Sequence, residues 1–242
     1  MTALKSQFRM IFSVRSTWYY FIAMFALVAL PAIMSGALAN HPDGIYQLGA
    51  GRFLIPFICT FATANIIGRE YRAKTFGWLY QSSNKREGML SSRTLIITLM
   101  SVLTVGVGIL LALAFHPVVA GQTQIPSPGD STYGAPIWTC LLSSVLYSAW
   151  TALLVEITAS VTVPLLIMIG AFLVEFISLM THLPNFLAHL IQLFPFMGSL
   201  GVFQQETNPN LANPTAIIIF DIVVTVVLAA VAAVQVRRRS VR

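Results

Sequence analysis

Six separate stretches of this 242-residue chain stay apolar over roughly the 20 residues that a helix needs to cross a hydrocarbon core of about 30 Å. They run from Trp18 to Leu38, Phe53 to Ile67, Leu95 to Phe115, Ile137 to Val155, Val161 to Met180 and Ala216 to Val236. The second is the shortest, and Gly51, Arg52 and Gly68 extend it, the arginine stem reaching to the interface. Composition agrees: 57% of the residues are hydrophobic and 9% charged, whereas soluble domains are about a quarter charged. No soluble core of this size can bury so much apolar surface. The expectation is an all-α integral membrane protein with six transmembrane helices. Disorder is excluded by the same composition. A disulfide scaffold is excluded by the two cysteines, Cys59 and Cys140, which lie in apolar runs and read as small buried hydrophobes.

Lysine and arginine are retained on the cytoplasmic side during insertion, so their distribution predicts orientation. With six spans, Lys5, Arg9 and Arg15, then Arg69, Arg72, Lys74, Lys85, Arg86 and Arg93, then Arg237, Arg238, Arg239 and Arg242 all fall on one face, leaving only Arg52 outside. Both termini are therefore expected in the cytoplasm, with the chain multi-pass in the inner (plasma) membrane. The net charge of +6 reads as topology plus attraction to anionic lipid, and a nucleic-acid partner is not expected. Ala37-Leu38-Ala39 after the first apolar run imitates a signal-peptide cleavage site. That run exceeds the roughly 7 to 15 residues of a signal sequence, and an uncleaved span is expected.

Residues 1–242 read as a single transmembrane domain. Within 1–17, Leu4, Phe8, Ile11 and Phe12 share one helical face and Lys5, Arg9 and Ser13 another, which predicts an N-terminal amphipathic, interfacial helix. Ala39 to Ala50 and Pro117 to Pro136 read as turn-forming outer connectors. Residues 181–214 contain an apolar segment from Pro184 to Phe196, too short and proline-bounded to span, so an outer re-entrant or interfacial hairpin between spans five and six fits.

Catalytic signatures do not appear. The sequence has no Gly-x-x-x-x-Gly-Lys-Ser/Thr phosphate loop, no His-Glu-x-x-His and no Gly-x-Ser-x-Gly, and His41, His116, His182 and His189 have no metal-ligand spacing. The chain is not expected to be an enzyme by itself, nor to hold a metal or a cofactor.

The informative segment is the loop after span two, residues 69–93. If helical from Arg69, it puts Glu70, Lys74, Gly77 and Gln81 on one face and Tyr71, Thr75, Trp78 and Leu79 on another. Glu70 precedes Lys74 in the order that favours a helical ion pair, contributing a few tenths of a kcal/mol. Two readings fit these side chains: anchoring of a helix at the headgroups, or docking of a partner. Here the chain resembles the permease subunits of ABC-2 type transporters, whose loop commonly reads Glu-x-x-x-Gly-Thr, then Leu, then Pro-x-x-Arg, then Lys. Without gaps, Glu70, Thr75, Leu79 and Arg86 match and Arg93 stands for the lysine, while Lys74 replaces the usual glycine and Ser83 the usual proline.

The resemblance implies an ATP-driven exporter: two permease chains, identical or related, with two copies of a separate ATP-binding subunit carrying ATP and Mg. Residues 69–93 would be the coupling loop, with Glu70, Arg72, Thr75 and Arg86 as coupling residues. It also implies hydrophobic drugs, lipid-like molecules or antimicrobial peptides as cargo. A secondary transporter or channel, or a non-transporting scaffold subunit, is the alternative.

Acids within the apolar runs are expensive and so are candidates for function. Glu156, at the inner end of span four, reads as interfacial and structural. Glu175 and Asp221 fall in the outer half of spans five and six; either lines a transport path or pairs with Arg52.

Overall fold

The fold was obtained as a computed structural model, and the residues it describes are 2–38, 48–72, 86–120, 131–180, 185–193 and 214–238. Every element among them is a helix: α1 (Thr2–Phe12), α2 (Arg15–Leu38), α3 (Leu48–Arg72), α4 (Arg86–Ala120), α5 (Ser131–Thr158), α6 (Thr162–Met180), α7 (Asn185–Gln192) and α8 (Pro214–Arg238). Three carry segments long and apolar enough to cross a membrane: Gly88–Leu111 in α4, Cys140–Thr158 in α5 and Thr215–Arg238 in α8. A shorter apolar segment, Thr162–Val174, lies in α6.

The helices overrun their apolar stretches, and two expected connectors are correspondingly shorter. Residues 48–50 belong to α3, while 117–120 and 131–136 belong to α4 and α5. Each backbone N–H and C=O needs a partner, so a helix continues into polar sequence beyond its apolar face. The larger correction concerns the loop after α3. Residues 69–72 complete α3 and 86–93 open α4, so only residues 73–85, outside the described set, separate the two helices.

The bundle centres on α5, which packs against α3, α4, α6 and α8. Of its membrane-length segment 67% is buried, against 33% for α4 and 17% for α8. Small residues explain this close packing. Cys140, Ser144, Ser148, Thr151 and Ala152 on α5 and Cys59, Thr63 and Ala64 on α3, the helix it packs against, are all fully or almost fully buried. Backbones approach closely where side chains are small, and dispersion then holds the helices together in lipid. Of these hydroxyls Ser144 Oγ donates to the Leu141 carbonyl of its own helix at 2.7 Å, whereas Thr63 Oγ1 and Thr151 Oγ1 have no hydrogen-bond partner among the described residues. In contrast α8 presents Ile218, Ile222, Val223, Val226 and Val227 outward, as a helix facing lipid does.

The N-terminal helix forms as expected, and Ile11 and Phe12 of its apolar face pack into the core. Gln7 and Ile11 are buried and α1 packs on α4, while Phe8 remains half exposed. The pair Gln7 and Ile11, one turn apart, fits the surface of α4. Phe8 and Phe12 meet as tilted rings with centroids 4.5 Å apart, and Phe12 continues to Trp18 and stacks on Phe21. Trp18 Nε1 donates to the Phe12 carbonyl at 3.1 Å, capping the end of α1.

A tight turn joins α5 to α6. Ala159 adopts φ 52°, the left-handed conformation that ends many helices, and its N–H bonds the Val155 carbonyl at 2.9 Å. The turn drives Val161 against Gly68 of α3 so closely that a Cβ there would lie 2.0 Å from Val161 Cγ2. Only glycine fits. Beyond α6, α7 lies in the segment expected as an outer hairpin and packs on α6 with Phe186, Leu187 and Leu190 exposed.

Candidate functional site

That turn and the last turn of α3 bring three ionisable groups together. Arg93, two helical turns into α4, is 3% exposed, Glu70 near the end of α3 is 8% exposed and Glu156 near the end of α5 is fully buried. Arg93 Nη2 lies 2.6 Å from Glu70 Oε2, and Nη1 lies 2.9 Å from Glu156 Oε1. The same Nη2 donates to the Ile67 carbonyl at 3.0 Å, and the Tyr71 hydroxyl donates to Glu156 Oε2. One guanidinium thus ties together the ends of α3, α4 and α5.

Its planar fork suits this task, since it can address two carboxylates and a carbonyl at once. Burying the charges is costly, and the cost is offset only while every partner is present. The site carries two carboxylates for one guanidinium, and burial pushes the Glu70 carboxyl above its ordinary range, against the pull of Arg93 and with the push of Glu156. Around the cluster, Arg69 Nη1 donates to Ser16 Oγ of α2 at 2.9 Å. Arg72 Nη2 reaches Asn65 Oδ1 at 3.3 Å, and Asn65 Nδ2 donates to the Phe61 carbonyl at 2.8 Å.

The expected coupling residues are thereby separated. Glu70 is buried in the cluster and paired with Arg93; Lys74, its expected helical partner, lies outside the described residues, as does Thr75. Arg72 is exposed at the end of α3, and Arg86 is the first residue of α4, its side chain outside the described set. Glu156, read as interfacial and structural, is buried and ion-paired near the end of α5.

Of the two acids in the other half of the bundle, Glu175 lies in α6 and Asp221 in α8. Asp221 is buried, and its Oδ1 has no hydrogen-bond partner among the described residues. The side chains of Glu175 and Arg52 lie outside the described set, and so does the expected pairing with Arg52. Near Asp221 a polar chain joins α5 to α8: Trp150 Nε1 donates to Thr225 Oγ1 at 2.8 Å, and Thr225 Oγ1 donates to the Asp221 carbonyl at 2.7 Å.

Sequence reasoning missed the roles of Arg93, Glu156 and Tyr71. The available signal was a charge near one end of each of three apolar runs, since a charge that becomes buried calls for a partner. Among the described residues no group of His, Cys, Asp and Glu is arranged to hold a metal. No protein-family model matches the chain, and no curated protein matches it.

Proposed function

We propose that this chain is the membrane-spanning subunit of an ATP-driven exporter of the ABC-2 type, crossing the membrane six times with both termini in the cytoplasm. The observation that carries the reading is the Glu70–Arg93–Glu156 cluster, because it joins both roots of the loop, at Arg72 and Arg86, to the central helix α5. A force delivered to residues 73–85 then moves α3, α4 and α5 together. This is the mechanical requirement for a loop that passes the closure of an ATPase pair into a bundle. The loop motif carrying Glu70, Thr75, Leu79 and Arg86 supports the same reading.

In this reading Arg72, Thr75 and Arg86 face the ATP-binding subunit, while Glu70 transmits the movement through Arg93. Two such subunits bind ATP and Mg beneath two permease chains, and cargo of the hydrophobic drug, lipid-like or antimicrobial-peptide class leaves between them. Glu175 and Asp221 contribute the polar surface of that path.

The test is gentle solubilisation and capture through a C-terminal tag, comparing wild type, Arg72→Glu and Glu70→Gln. A P-loop ATPase is expected to co-purify with wild type, to be reduced by Arg72→Glu, and to remain bound but poorly coupled to export in Glu70→Gln. Absence of any ATPase from oligomeric wild-type protein overturns the reading in favour of a secondary transporter or a scaffold subunit.

A further inference from the structure

A second feature lies on the flank of the bundle formed by α4, α5 and α8. Between α4, α5 and α8 there is a cavity of about 550 Å³, within the range of roughly 300 to 1,000 Å³ typical of ligand pockets. Its walls are mostly apolar and small, with Ala149 and Leu153 from α5 and Ala229 and Ala233 from α8. The α4 wall adds Ser91, Thr94 and Thr98, and the hydroxyl oxygens of the two threonines are themselves buried and do not open onto the cavity.

The end formed by the start of α4 and the end of α8 is basic. Gly88, in the lining, follows Arg86 by two residues, and Arg237 lies one helical turn beyond Ala233 on the same face of α8, with Arg238 beside it. Arg237 and Arg238 are both exposed. An apolar slot with arginines one helical turn beyond its lining is complementary to one kind of amphiphile: an acyl chain joined to a negative headgroup.

We propose that this cavity is a binding site for an anionic phospholipid of the leaflet at the basic end of the bundle. One acyl chain lies between α4 and α8, and the headgroup phosphate meets the arginines. The small residues Ala149, Ala229 and Ala233 leave the space that the chain occupies. The inference rests on the chain lying in a membrane, not on any transport activity, so it stands or falls separately from the exporter reading.

Trp150 supplies the probe, because its neighbour Ala149 and its hydrogen-bond partner Thr225 both line the cavity while Trp150 itself is 4% exposed. In the full chain carrying Trp18→Phe, Trp78→Phe and Trp138→Phe, Trp150 fluorescence is followed in phosphatidylcholine nanodiscs containing chain-brominated phosphatidylglycerol or chain-brominated phosphatidylcholine. Brominated phosphatidylglycerol is expected to quench at about tenfold lower mole fraction, a preference lost in Arg237→Gln/Arg238→Gln. Ala229→Leu and Ser91→Leu, which narrow the slot from opposite sides, are expected to abolish quenching by either lipid. Equal quenching by the two lipids, or a preference that survives loss of both arginines, overturns the proposal in favour of ordinary boundary lipid. Absence of quenching by either lipid overturns it in favour of another occupant, such as a second copy of the chain. The arginine pair lies on the exposed end of α8, so this arm decides the matter even where a slot-filling variant fails to fold.

Discussion

Gly68 and Val161 meet at a distance that leaves no space for a methyl group: a Cβ on Gly68 would lie 2.0 Å from Val161 Cγ2 and 3.2 Å from its Cβ. The contact clamps the α5–α6 turn onto α3 just where Glu70 and Glu156 approach Arg93. Gly68→Ala is therefore expected to force the turn away and to lose about 1–3 kcal/mol, as overpacking does. Val161→Ala removes Cγ2 and is expected to restore most of that loss in the double variant. Reversible unfolding in mixed micelles measures both.

Removing Arg93 leaves two buried carboxylates facing each other. Arg93→Met is expected to destabilise the protein by about 3–5 kcal/mol, the usual result of orphaning a buried charge. The triple variant Arg93→Met/Glu70→Gln/Glu156→Gln is expected to regain much of this, because no charge is then left without a partner. A triple variant no more stable than Arg93→Met in the same unfolding assay contradicts the electrostatic account.

The raised Glu70 carboxyl makes stability depend on pH in a defined direction. Its folded-state pKa lies above the ordinary 4.5, with burial the largest cause. A group raised on folding contributes stability that is fully present below its unfolded value and lost as pH rises through its folded value. Acidification from neutrality toward 4.5 is therefore expected to raise the unfolding midpoint of wild type relative to Glu70→Gln. Parallel pH profiles for the two proteins contradict the assignment.

Ala159 holds a positive φ that its Cβ disfavours. In the left-handed region a non-glycine residue costs about 1–2 kcal/mol. Ala159→Gly is expected to stabilise the turn by about 1 kcal/mol, less the added freedom glycine gives the unfolded chain. Thermal unfolding of wild type and variant side by side measures the difference.

Trp150 and Thr225 join α5 to the least buried of the membrane-length helices. Thr225→Val keeps the shape and removes the acceptor, which leaves the indole N–H unpaired in an apolar setting. A loss of about 1–3 kcal/mol is expected, with a blue shift of the Trp150 emission in the single-tryptophan background.

Much of the fold was legible in the sequence because lipid imposes a simple rule: every backbone group is satisfied inside a helix, and apolar length marks its extent. Each of the six apolar stretches falls in a helix, and an amphipathic α1 precedes α2 as expected. What depended on partners was not legible. The pattern of residues 1–12 named the apolar face of α1, whose Ile11 and Phe12 reach the core, but not the burial of Gln7 beside them. Likewise, local spacing paired Glu70 with Lys74, whereas the fold pairs it with Arg93, a residue that the sequence pattern assigned to a loop.

The sequence alone therefore determined the helical, membrane-embedded character of the chain and the position of the charges along it, since both follow from hydropathy and from the length of a helix. Tertiary structure decided which charges meet. Glu70, Arg93 and Glu156 lie far apart in the chain, and nothing local relates them. Their contact depends on the small-residue packing of α3 against α5, on the turn at Ala159 and on the absence of a side chain at Gly68. A buried charge accepts only a partner delivered to hydrogen-bonding distance, and only the packed bundle makes that delivery.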